Sequence, residues 1–304
     1  MNRIIESVPN FSEGCDLEII DRIVSVFRAK ENIKLLDYSN DIYHNRMVVT
    51  IIGEPEAVKN RIVEAVGVAI DLIDLTKHKG SHPRIGVADV IPFVPIKGIS
   101  MDEADALAKE CGYVLAEKYN LPVYFYEKSA SAKYRQNLAT IRKGEFEGLV
   151  EKMKLPEWKP DAGPDKPHPT AGASVTGART PLIAFNVNLQ TTNLTIAKKI
   201  AQNVRYIGGG LHYCKALGMD LKEHGLVQVS MNLTDYTKTA IYQAVEMIRF
   251  EAKRYGVSIA GCELVGLIPL QAVVDTVSYY LNLENFSIKQ ILESHTDEFA
   301  EYFN

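Results

Sequence analysis

The sequence predicts an α/β (α+β) protein made of two ferredoxin-like subdomains, each with the element order βαββαβ. Strand-like and helix-like periodicities alternate along the 304 residues, and this order occurs twice. A proline-rich segment separates the two occurrences. Chains of this length commonly form two domains or closely joined subdomains. We therefore predict an N-terminal subdomain over residues 1–178 and a C-terminal subdomain over residues 179–304.

The first half begins with a strand, RIIESVPN, that runs into a polar turn. In the next stretch, DLEIIDRIVSVFRAK, apolar residues recur at the three- and four-residue spacing of a helix with one buried face. Two strands, a helix and a strand follow: IKLLDYS, RMVVTIIG, residues 55–75 and IGVADVIPFVPI. Because proline cannot donate a hydrogen bond to a neighbouring strand, the two prolines of the last segment favour an edge or an interrupted strand.

A helix and a strand extend this half beyond the repeated order. The helix SMDEADALAKECGYVLAEKY has Ser100 as its predicted N-cap and Glu103 three residues later, the pattern of a capping box. PVYFYEK is the further strand, and a helical piece near residues 133–142 follows it. The next stretch, LPEWKPDAGPDKPHPTAGAS, contains five prolines. We interpret it as a connection between subdomains or as a functional loop, since long unstructured loops are uncommon in compact domains.

The second half repeats the order of strand, helix, two strands, helix and strand. The segments are PLIAFNVNL, LTIAKKIAQNVRYI, HYCKALGM, LVQVSMNL, TKTAIYQAVEMIRFEAKRYG and VSIAGCELVGLI. The GGG at 208–210 follows a helix, so we expect a helix C-cap and hairpin entry there rather than a phosphate loop. From Pro269 onwards, helices are predicted to cover the second sheet.

Composition and charge argue against several classes of protein. The net charge is −4 with both signs interspersed, so no broad basic face for nucleic acid is expected. No apolar run is long enough for a membrane span, and the N-terminus lacks the order of a signal peptide. The four cysteines form no CxxC pair. We expect a cytoplasmic protein that binds neither nucleic acid nor membrane.

The strongest single candidate for chemistry is His82, in the turn segment HKGSHPRIG. Gly80 gives the turn backbone freedom, whereas Pro83 restricts His82 to an extended conformation. A fixed imidazole whose ordinary pKa is near neutrality suits proton transfer. The neighbouring Lys79 and Arg84 suit an anionic substrate. The alternative is a turn histidine with solvated basic neighbours.

Two residues near His82 leave alternatives open. His78 lies four residues earlier, a spacing at which histidines on one helix face bind metal, but Gly80 and Pro83 disfavour a helix here. With no third ligand in view, we expect no metal. Asp89 falls in the following strand, either as an inward polar group that serves the site or as a bulge residue at a strand edge.

A second polar turn, NDIYHNR, lies between two predicted strands and ends with Asn45 and Arg46. If the strands share one sheet, this turn and the His82 turn could meet at one of its edges. Arg46 is suited to hold a carboxylate through two parallel hydrogen bonds; the alternative is an exposed turn arginine. His168, in the proline-rich segment, is expected to be solvent-exposed.

Several motifs, in the same order and over nearly the whole chain, resemble one family. They are VPNFSEG, HNR at 44–46, DLIDLTKHKGSHPRIGVADVIPFVP, GASVTGAR followed by LIAFNVNL, QVSMNLTD and ELVGLIPL. The chain thereby resembles the folate-dependent glutamate formimidoyltransferases, which occur alone in bacteria and as the transferase half of animal formimidoyltransferase-cyclodeaminases. No sequence is left for a cyclodeaminase half, so we expect the transferase alone.

The resemblance implies two α/β subdomains with sheets packed face to face, a site in the cleft between them, and a homodimer. It implies an enzyme of histidine degradation that transfers the formimidoyl group from N-formimidoyl-L-glutamate to N5 of tetrahydrofolate, the co-substrate. The products are 5-formimidoyltetrahydrofolate and L-glutamate. His82 corresponds to the family's catalytic histidine, which takes a proton from N5 and gives one to the departing glutamate nitrogen. No metal is required for this reaction.

The resemblance also implies binding residues. The family's folate-contacting linker corresponds to Gly163, Pro164, Asp165, Lys166, Pro167, His168, Pro169, Thr170, Ala171 and Gly172. From the charge and position of the residues themselves, the candidates for binding the donor's carboxylates are Arg46, Arg84 and Lys79, with Asn45 beside them. Ser39 stands where animal enzymes carry an acid, so Asp41 or Asp89 is the candidate that holds the amidinium.

Three other functions are considered on the sequence, of which a structural or partner-binding α/β protein has no exposed apolar stripe or repeat in its favour. The same fold could transfer a formyl rather than a formimidoyl group from glutamate. Alternatively, the protein could bind folate without turnover, with His82 in a structural role.

Overall fold

The structure, a computed structural model, describes residues 3–221 and 224–295. Contacts within the chain divide it into two units, Met1–Arg179 and Thr180–Asn304. Within the described residues, no helix combines the length and the apolar character needed to cross a lipid bilayer.

The first unit contains seven strands and five α-helices within its described residues. In chain order these are β1 (Ile4–Ser7), β2 (Asn10–Phe11), α1 (Leu17–Ser25), β3 (Ile33–Asp41), β4 (Arg46–Gly53), α2 (Pro55–Leu72), β5 (Ala88–Lys97), α3 (Met101–Tyr119), β6 (Val123–Phe125), α4 (Leu138–Arg142), α5 (Glu145–Met153) and β7 (Ser174–Ala178). The second unit contains β8 (Ile183–Leu189), α6 (Leu194–Val204), β9 (Cys214–Leu221), β10 (Leu226–Leu233), α7 (Ile241–Lys253), β11 (Ile259–Val265) and α8 (Leu270–Leu281).

Both units have the strand order predicted for a βαββαβ subdomain. In the second unit the order across the sheet is β11-β8-β10-β9, with antiparallel neighbours. In the first unit β5 pairs with β1, β1 with β4 and β4 with β3, also antiparallel. The fourth strand thus lies beside the first, the first beside the third and the third beside the second in each unit. The predicted α/β class with two sheets is confirmed.

The first sheet continues past β5 with two parallel strands, β7 and then β6. The added strand β6 was predicted, but β7 was not. Its sequence, SVTGA, is short and rich in small residues, so it lacks the β-branched and aromatic run that indicates a strand. Because β7 follows the proline-rich segment and belongs to the first sheet, that segment is an internal loop and not a connection between the two units.

The prediction that the prolines of β5 place it at an edge or interrupt it is wrong. β5 is a continuous strand with β1 and β2 on one side and β7 on the other. The interruption lies in the partner instead, because β1 and β2 are separated and the register of β1 shifts opposite Pro95. At Pro92 the carbonyl oxygen accepts a hydrogen bond from Oγ of Ser7, 2.6 Å away. The missing backbone N–H groups of the prolines are therefore accommodated by the irregular pairing of the neighbouring segment β1–β2.

A side-chain cap starts α3 where the sequence predicts it. Ser100 accepts a hydrogen bond from the backbone N–H of Glu103, and the Glu103 carboxylate accepts one from the N–H of Ser100. The predicted capping box of α3 is therefore confirmed. The C-cap of α6 itself is Arg205, and the predicted cap in the GGG at 208–210 belongs to the short 3₁₀ helix that follows, Tyr206–Gly208, which Gly209 ends. The prediction of helices from Pro269 onwards is confirmed by α8, whose Ala272 belongs to the core of the second unit, and its last part, residues 296–304, lies outside the described residues.

The first sheet is covered on both faces near β6 and β7. Alternate residues of β6 face opposite sides, and Val123 and Phe125 join the core formed with α1, α2 and α3. Tyr124 belongs to a separate cluster that includes Ile141 of α4 and Leu149 of α5. This second cluster holds α4 and α5 against the sheet, close to the polar turns described below.

Candidate active site

The two polar turns singled out in the sequence lie against each other. The side chain of Asn45 joins them, because Nδ2 donates to the carbonyl oxygen of Lys79 at 2.9 Å and Oδ1 accepts from the backbone N–H of Gly14 at 2.8 Å. A Cβ on Gly80 would lie 2.4 Å from the carbonyl oxygen of His44. Gly80 is thus required by the close approach of the two backbones.

His78 fastens the same two turns. Its Nε2 lies 3.0 Å from the carbonyl oxygen of Asn45, and its Nδ1 lies 3.2 Å from Nε of Arg84. A carbonyl only accepts and a guanidinium only donates, so these partners assign the proton to Nε2. Both ring nitrogens are therefore engaged in holding the turns. Within residues 3–221 and 224–295, no group of three or more His, Cys, Asp or Glu side chains is arranged to hold a metal ion.

His82 lies beside Arg46 and is partly buried. Nη1 of Arg46 is 2.6 Å from Nε2 of His82, and since the guanidinium donates, Nε2 is the acceptor. The ring of His44 stands edge-on to the ring of His82, with centroids 6.4 Å apart. Burial, then the positive charges of Arg46 and Arg142, lower the pKa of His82 from 6.5 to about 3. In this geometry the imidazole is neutral at physiological pH.

Arg46 is a partly buried cation at the start of β4. Burial and the neighbouring charge of Arg142 lower the pKa of Arg46 to about 10, so it remains protonated at neutral pH. Its position follows from the strand register, because Arg46 pairs with Asp41 where the turn between β3 and β4 closes.

Arg142, the last residue of α4, reaches the same region from a different part of the fold. Both Nε, at 2.8 Å, and Nη2 donate to Oδ2 of Asp89. Asp89 is 2% exposed, and its Oδ1 accepts from the backbone N–H of Ile85 at 2.8 Å. The carboxylate thus ties the end of α4 to the backbone just after the His82 turn.

Asp89 is both a buried polar group and a bulge residue. β2 pairs Asn10 with Val90 and Phe11 with Ala88, so Asp89 is the extra residue of a β-bulge. This bulge lies in an interior strand, not at an edge. A bulge redirects a side chain, and here it is the buried carboxylate that receives Arg142.

Lys152 of α5 fixes the end of α4 that carries Arg142. Its Nζ donates to the carbonyl oxygens of Thr140, Ile141 and Lys143 at 3.0, 2.5 and 3.1 Å. The ammonium also lies 3.9 Å from the ring centroid of Trp158. A cation at unpaired helix-terminal carbonyls stabilises that terminus, which restrains the position of Arg142.

The other predicted binding residues contact groups other than His82. Arg84 is 6% exposed and pairs with Glu145 at 2.9 Å and Glu147 at 2.7 Å, so its charge is already neutralised. Lys79 is exposed, and its backbone carbonyl rather than its ammonium makes the contact described above. Asp41 is exposed and accepts from both the backbone N–H, at 2.9 Å, and Nδ1, at 2.7 Å, of His44. Asp41 therefore orients His44, which in turn faces His82.

The loop predicted to contact folate, Gly163–Gly172, is anchored at its end. His168 and Gly172 exchange two backbone hydrogen bonds of 2.8 and 3.0 Å, and Nδ1 of His168 accepts from the N–H of Ala171. The carbonyl oxygens of Thr170 and Ala171 accept from Leu75 and Val87. These bonds tie the loop to both sides of the His82 turn. His168 is half-buried, so the expectation that it is solvent-exposed is wrong.

Gly172 is the residue on which this anchor depends, and its replacement is expected to destabilise the first unit. Its φ is +71°, and a Cβ there would lie 2.0 Å from the carbonyl oxygen of Ile85. We expect Gly172→Ala to lower the free energy of unfolding by about 2–5 kcal/mol, from backbone strain and overpacking together. Urea denaturation measures this difference.

Gly209 provides the matched control, since its φ is +89° but nothing lies within 4 Å of its added Cβ. Gly209→Ala should therefore cost only the conformational strain of about 1–2 kcal/mol. Equal losses for the two variants would contradict the steric part of the explanation.

Two residues at this site were missed in the sequence. His44 lies within the HNR segment, but only Asn45 and Arg46 were singled out there. Arg142 carries no local signal, because it ends a five-residue helix far along the chain from Asp89. No local feature of the sequence indicated that Asp89 pairs with a residue 53 positions further along the chain.

Comparison with known proteins covers both units. Residues 4–179 match the family model described as the formiminotransferase domain, N-terminal subdomain, and residues 184–297 match the formiminotransferase domain. A glutamate formimidoyltransferase of Streptococcus pyogenes serotype M1 is 46% identical over 296 residues, which cover 97% of this chain and 99% of that protein.

Two further relatives show the same similarity. A glutamate formimidoyltransferase of Thermoplasma acidophilum is 44% identical over 299 residues, covering 98% of each chain. The formimidoyltransferase-cyclodeaminase of Rattus norvegicus is 44% identical over 294 residues, covering 95% of this chain and 54% of that protein.

Proposed function

Because this chain belongs to the formiminotransferase family, we propose that it transfers the formimidoyl group of N-formimidoyl-L-glutamate to N5 of tetrahydrofolate at the site around His82. The reaction is a step of histidine degradation and releases L-glutamate. The observation that carries the assignment of the site is the contact between Nε2 of His82 and Nη1 of Arg46. This contact supports the proposal, because an imidazole suits acid/base catalysis and a neighbouring guanidinium suits an anionic substrate.

The reaction requires two proton transfers, in which N5 loses a proton and the glutamate nitrogen gains one. N5 attacks the amidine carbon of the donor, forming a C–N bond, and N5 then loses a proton to Nε2 of His82. The imidazolium returns that proton to the glutamate nitrogen, and the bond from the carbon to that nitrogen breaks. A single group can serve both steps, and general acid/base catalysis of this kind contributes about 10²- to 10⁴-fold.

The surrounding residues supply the remaining roles in this proposal. Asp41 orients His44 at the edge of the His82 ring, and Asp89 holds Arg142 close to the same ring. Neither acid contacts His82 in the structure, so we assign both to positioning. Tetrahydrofolate is the co-substrate, and we propose that the exposed part of the loop at residues 163–170 contacts it. We also expect a cytoplasmic homodimer.

The donor assay tests this function directly. Purified protein is incubated with tetrahydrofolate and either N-formimidoyl-L-glutamate or N-formyl-L-glutamate, and the folate product is identified by mass spectrometry. We expect 5-formimidoyltetrahydrofolate from the first donor and little product from the second. Product from the formyl donor alone would replace this function with formyl transfer. Folate binding without product from either donor would indicate a binding protein.

A further inference from the structure

Arg46 and Arg142 are partly buried cations whose hydrogen-bond donors are incompletely used. Among the described residues, Arg46 makes one side-chain hydrogen bond, from Nη1 to His82, and no carboxylate lies within 4 Å of it. Arg142 uses Nε and Nη2 for Asp89, which leaves Nη1 without a partner in the described part of the chain. Burying a charge without a counter-ion is costly, so Arg46 indicates a ligand of opposite charge. Arg142 has Asp89 as its counter-ion and contributes a free donor at Nη1.

The charges that surround His82 are unbalanced. Arg46 faces it from β4 and Arg142 from α4, whereas β5 contributes the single carboxylate of Asp89, which Arg142 occupies. From the turn between β3 and β4, His44 faces the ring, and its own partner is Asp41.

Arg84 provides the contrast within the same turn. Two carboxylates, those of Glu145 and Glu147, surround its one guanidinium. The charge of Arg84 is therefore balanced by carboxylates, whereas that of Arg46 is not.

We propose that Arg46 and Arg142 together bind a carboxylate of a substrate glutamate, and that this carboxylate draws Arg46 away from Nε2 of His82. This inference rests on the proposed function and deepens it, because it names the group that prepares the base. Arg142 then binds substrate with Nη1 while Asp89 holds its other two nitrogens. A guanidinium suits this because its donors are fixed in a fork.

The exchange of partners has a chemical consequence for His82. While Arg46 donates to Nε2, the lone pair needed to accept a proton from N5 is occupied. A carboxylate competes for the same donor and cancels part of the positive charge. Burial is the largest cause of the lowered pKa of His82, and the charges of Arg46 and Arg142 come next, so a bound anion that cancels part of these charges raises that pKa above about 3. Substrate binding thus makes His82 a competent base.

The glutamate carboxylate has two sources, the formimidoyl donor and the glutamate tail of the folate. We test them by NMR titration of the His82 ring, assigned by the loss of its signal in His82→Gln. The probes are L-glutamate, its diamide, 5-formyltetrahydrofolate and 6-methyltetrahydropterin, of which the second and fourth lack carboxylates.

A rise in the His82 titration midpoint of at least about one pH unit with L-glutamate, and not with its diamide, identifies the donor as the source. A rise with 5-formyltetrahydrofolate alone identifies the folate tail. An unchanged midpoint with both carboxylate ligands, or an equal rise with a probe that lacks carboxylates, overturns the proposal.

Arginine variants test the site without requiring turnover. We expect Arg142→Lys and Arg46→Met each to weaken binding of the carboxylate probe by about 10- to 100-fold, as for the loss of a hydrogen bond to a charged group. Arg142→Lys keeps the charge that Asp89 requires, and circular dichroism confirms that each variant is folded. Arg249→Gln is the control, because Arg249 is an exposed arginine of the second unit paired with Glu246. Binding unchanged in both site variants contradicts the proposal.

The outcomes separate this inference from the proposed function. If wild-type protein produces 5-formimidoyltetrahydrofolate but no carboxylate shifts His82, the inference fails and the function stands. If L-glutamate shifts His82 through both arginines but neither donor is turned over, the anion site stands and the function fails.

Discussion

Replacement of His82 by alanine is expected to lower kcat for formimidoyl transfer by about 10²- to 10⁴-fold, with the KM for tetrahydrofolate close to the wild-type value. The physical reason is that a methyl side chain leaves no group beside Arg46 to take the proton from N5 and return it to the glutamate nitrogen. Steady-state kinetics with N-formimidoyl-L-glutamate measure both parameters. Added imidazole should restore part of the lost kcat, since it fills the space that the ring occupied.

The control for this experiment is a histidine away from the site. His212 is exposed in the second unit, and its ring lies at a tilt against the rings of Tyr206 and Tyr213. His212→Ala is expected to keep kcat within about twofold of the wild type, as surface substitutions away from special features have small effects. A His82→Ala enzyme that turns over at nearly the normal rate would exclude His82 as the proton shuttle.

Replacement of Asp89 by alanine is expected to lower the free energy of unfolding by about 3–5 kcal/mol, the usual cost of removing one partner from a buried ion pair. Asp89 is 2% exposed and accepts from Nε and Nη2 of Arg142 as well as from the N–H of Ile85. Its loss leaves the guanidinium of Arg142 beside that of Arg46 without a carboxylate. Urea denaturation with a constant m-value measures the effect.

A double variant shows whether the cost comes from the unpaired arginine. Asp89→Ala combined with Arg142→Met removes both charges, so the double variant should be more stable than Asp89→Ala alone. Asp21→Ala is the control, because Asp21 forms an exposed pair with Arg28 that contributes only about 0–1 kcal/mol. A loss for Asp89→Ala no larger than that of the control would show that the buried pair does not stabilise the fold.

The element order was predictable because it depends on local patterns. Apolar spacing in α1, α2, α6 and α7, and the capping box at Ser100 and Glu103, are properties of neighbouring residues. The strand order β11-β8-β10-β9 follows from the same βαββαβ succession.

The errors in the fold arose where pairing across the sheet overrides local propensity. Pro92 and Pro95 lie in an interior strand because the neighbouring segment is irregular. It is interrupted between β1 and β2, and the register of β1 shifts opposite Pro95. The small residues of β7 form a strand because β5 and β6 flank it. Neither feature can be predicted from the local sequence of β5 or β7.

For the site, the sequence by itself determined that His82 lies in a basic turn, next to Gly80 and Pro83, in a chain whose motifs resemble one family of transferases. Backbone restriction, charge and motif order are all local or sequential properties. The meeting of the His82 turn with Arg46, the bulge that turns Asp89 inward, and the arrival of Arg142 from α4 were decided only by the tertiary structure. Ion pairing acts through space over a few ångströms, and residues that are 53 positions apart become partners only once the sheet has formed.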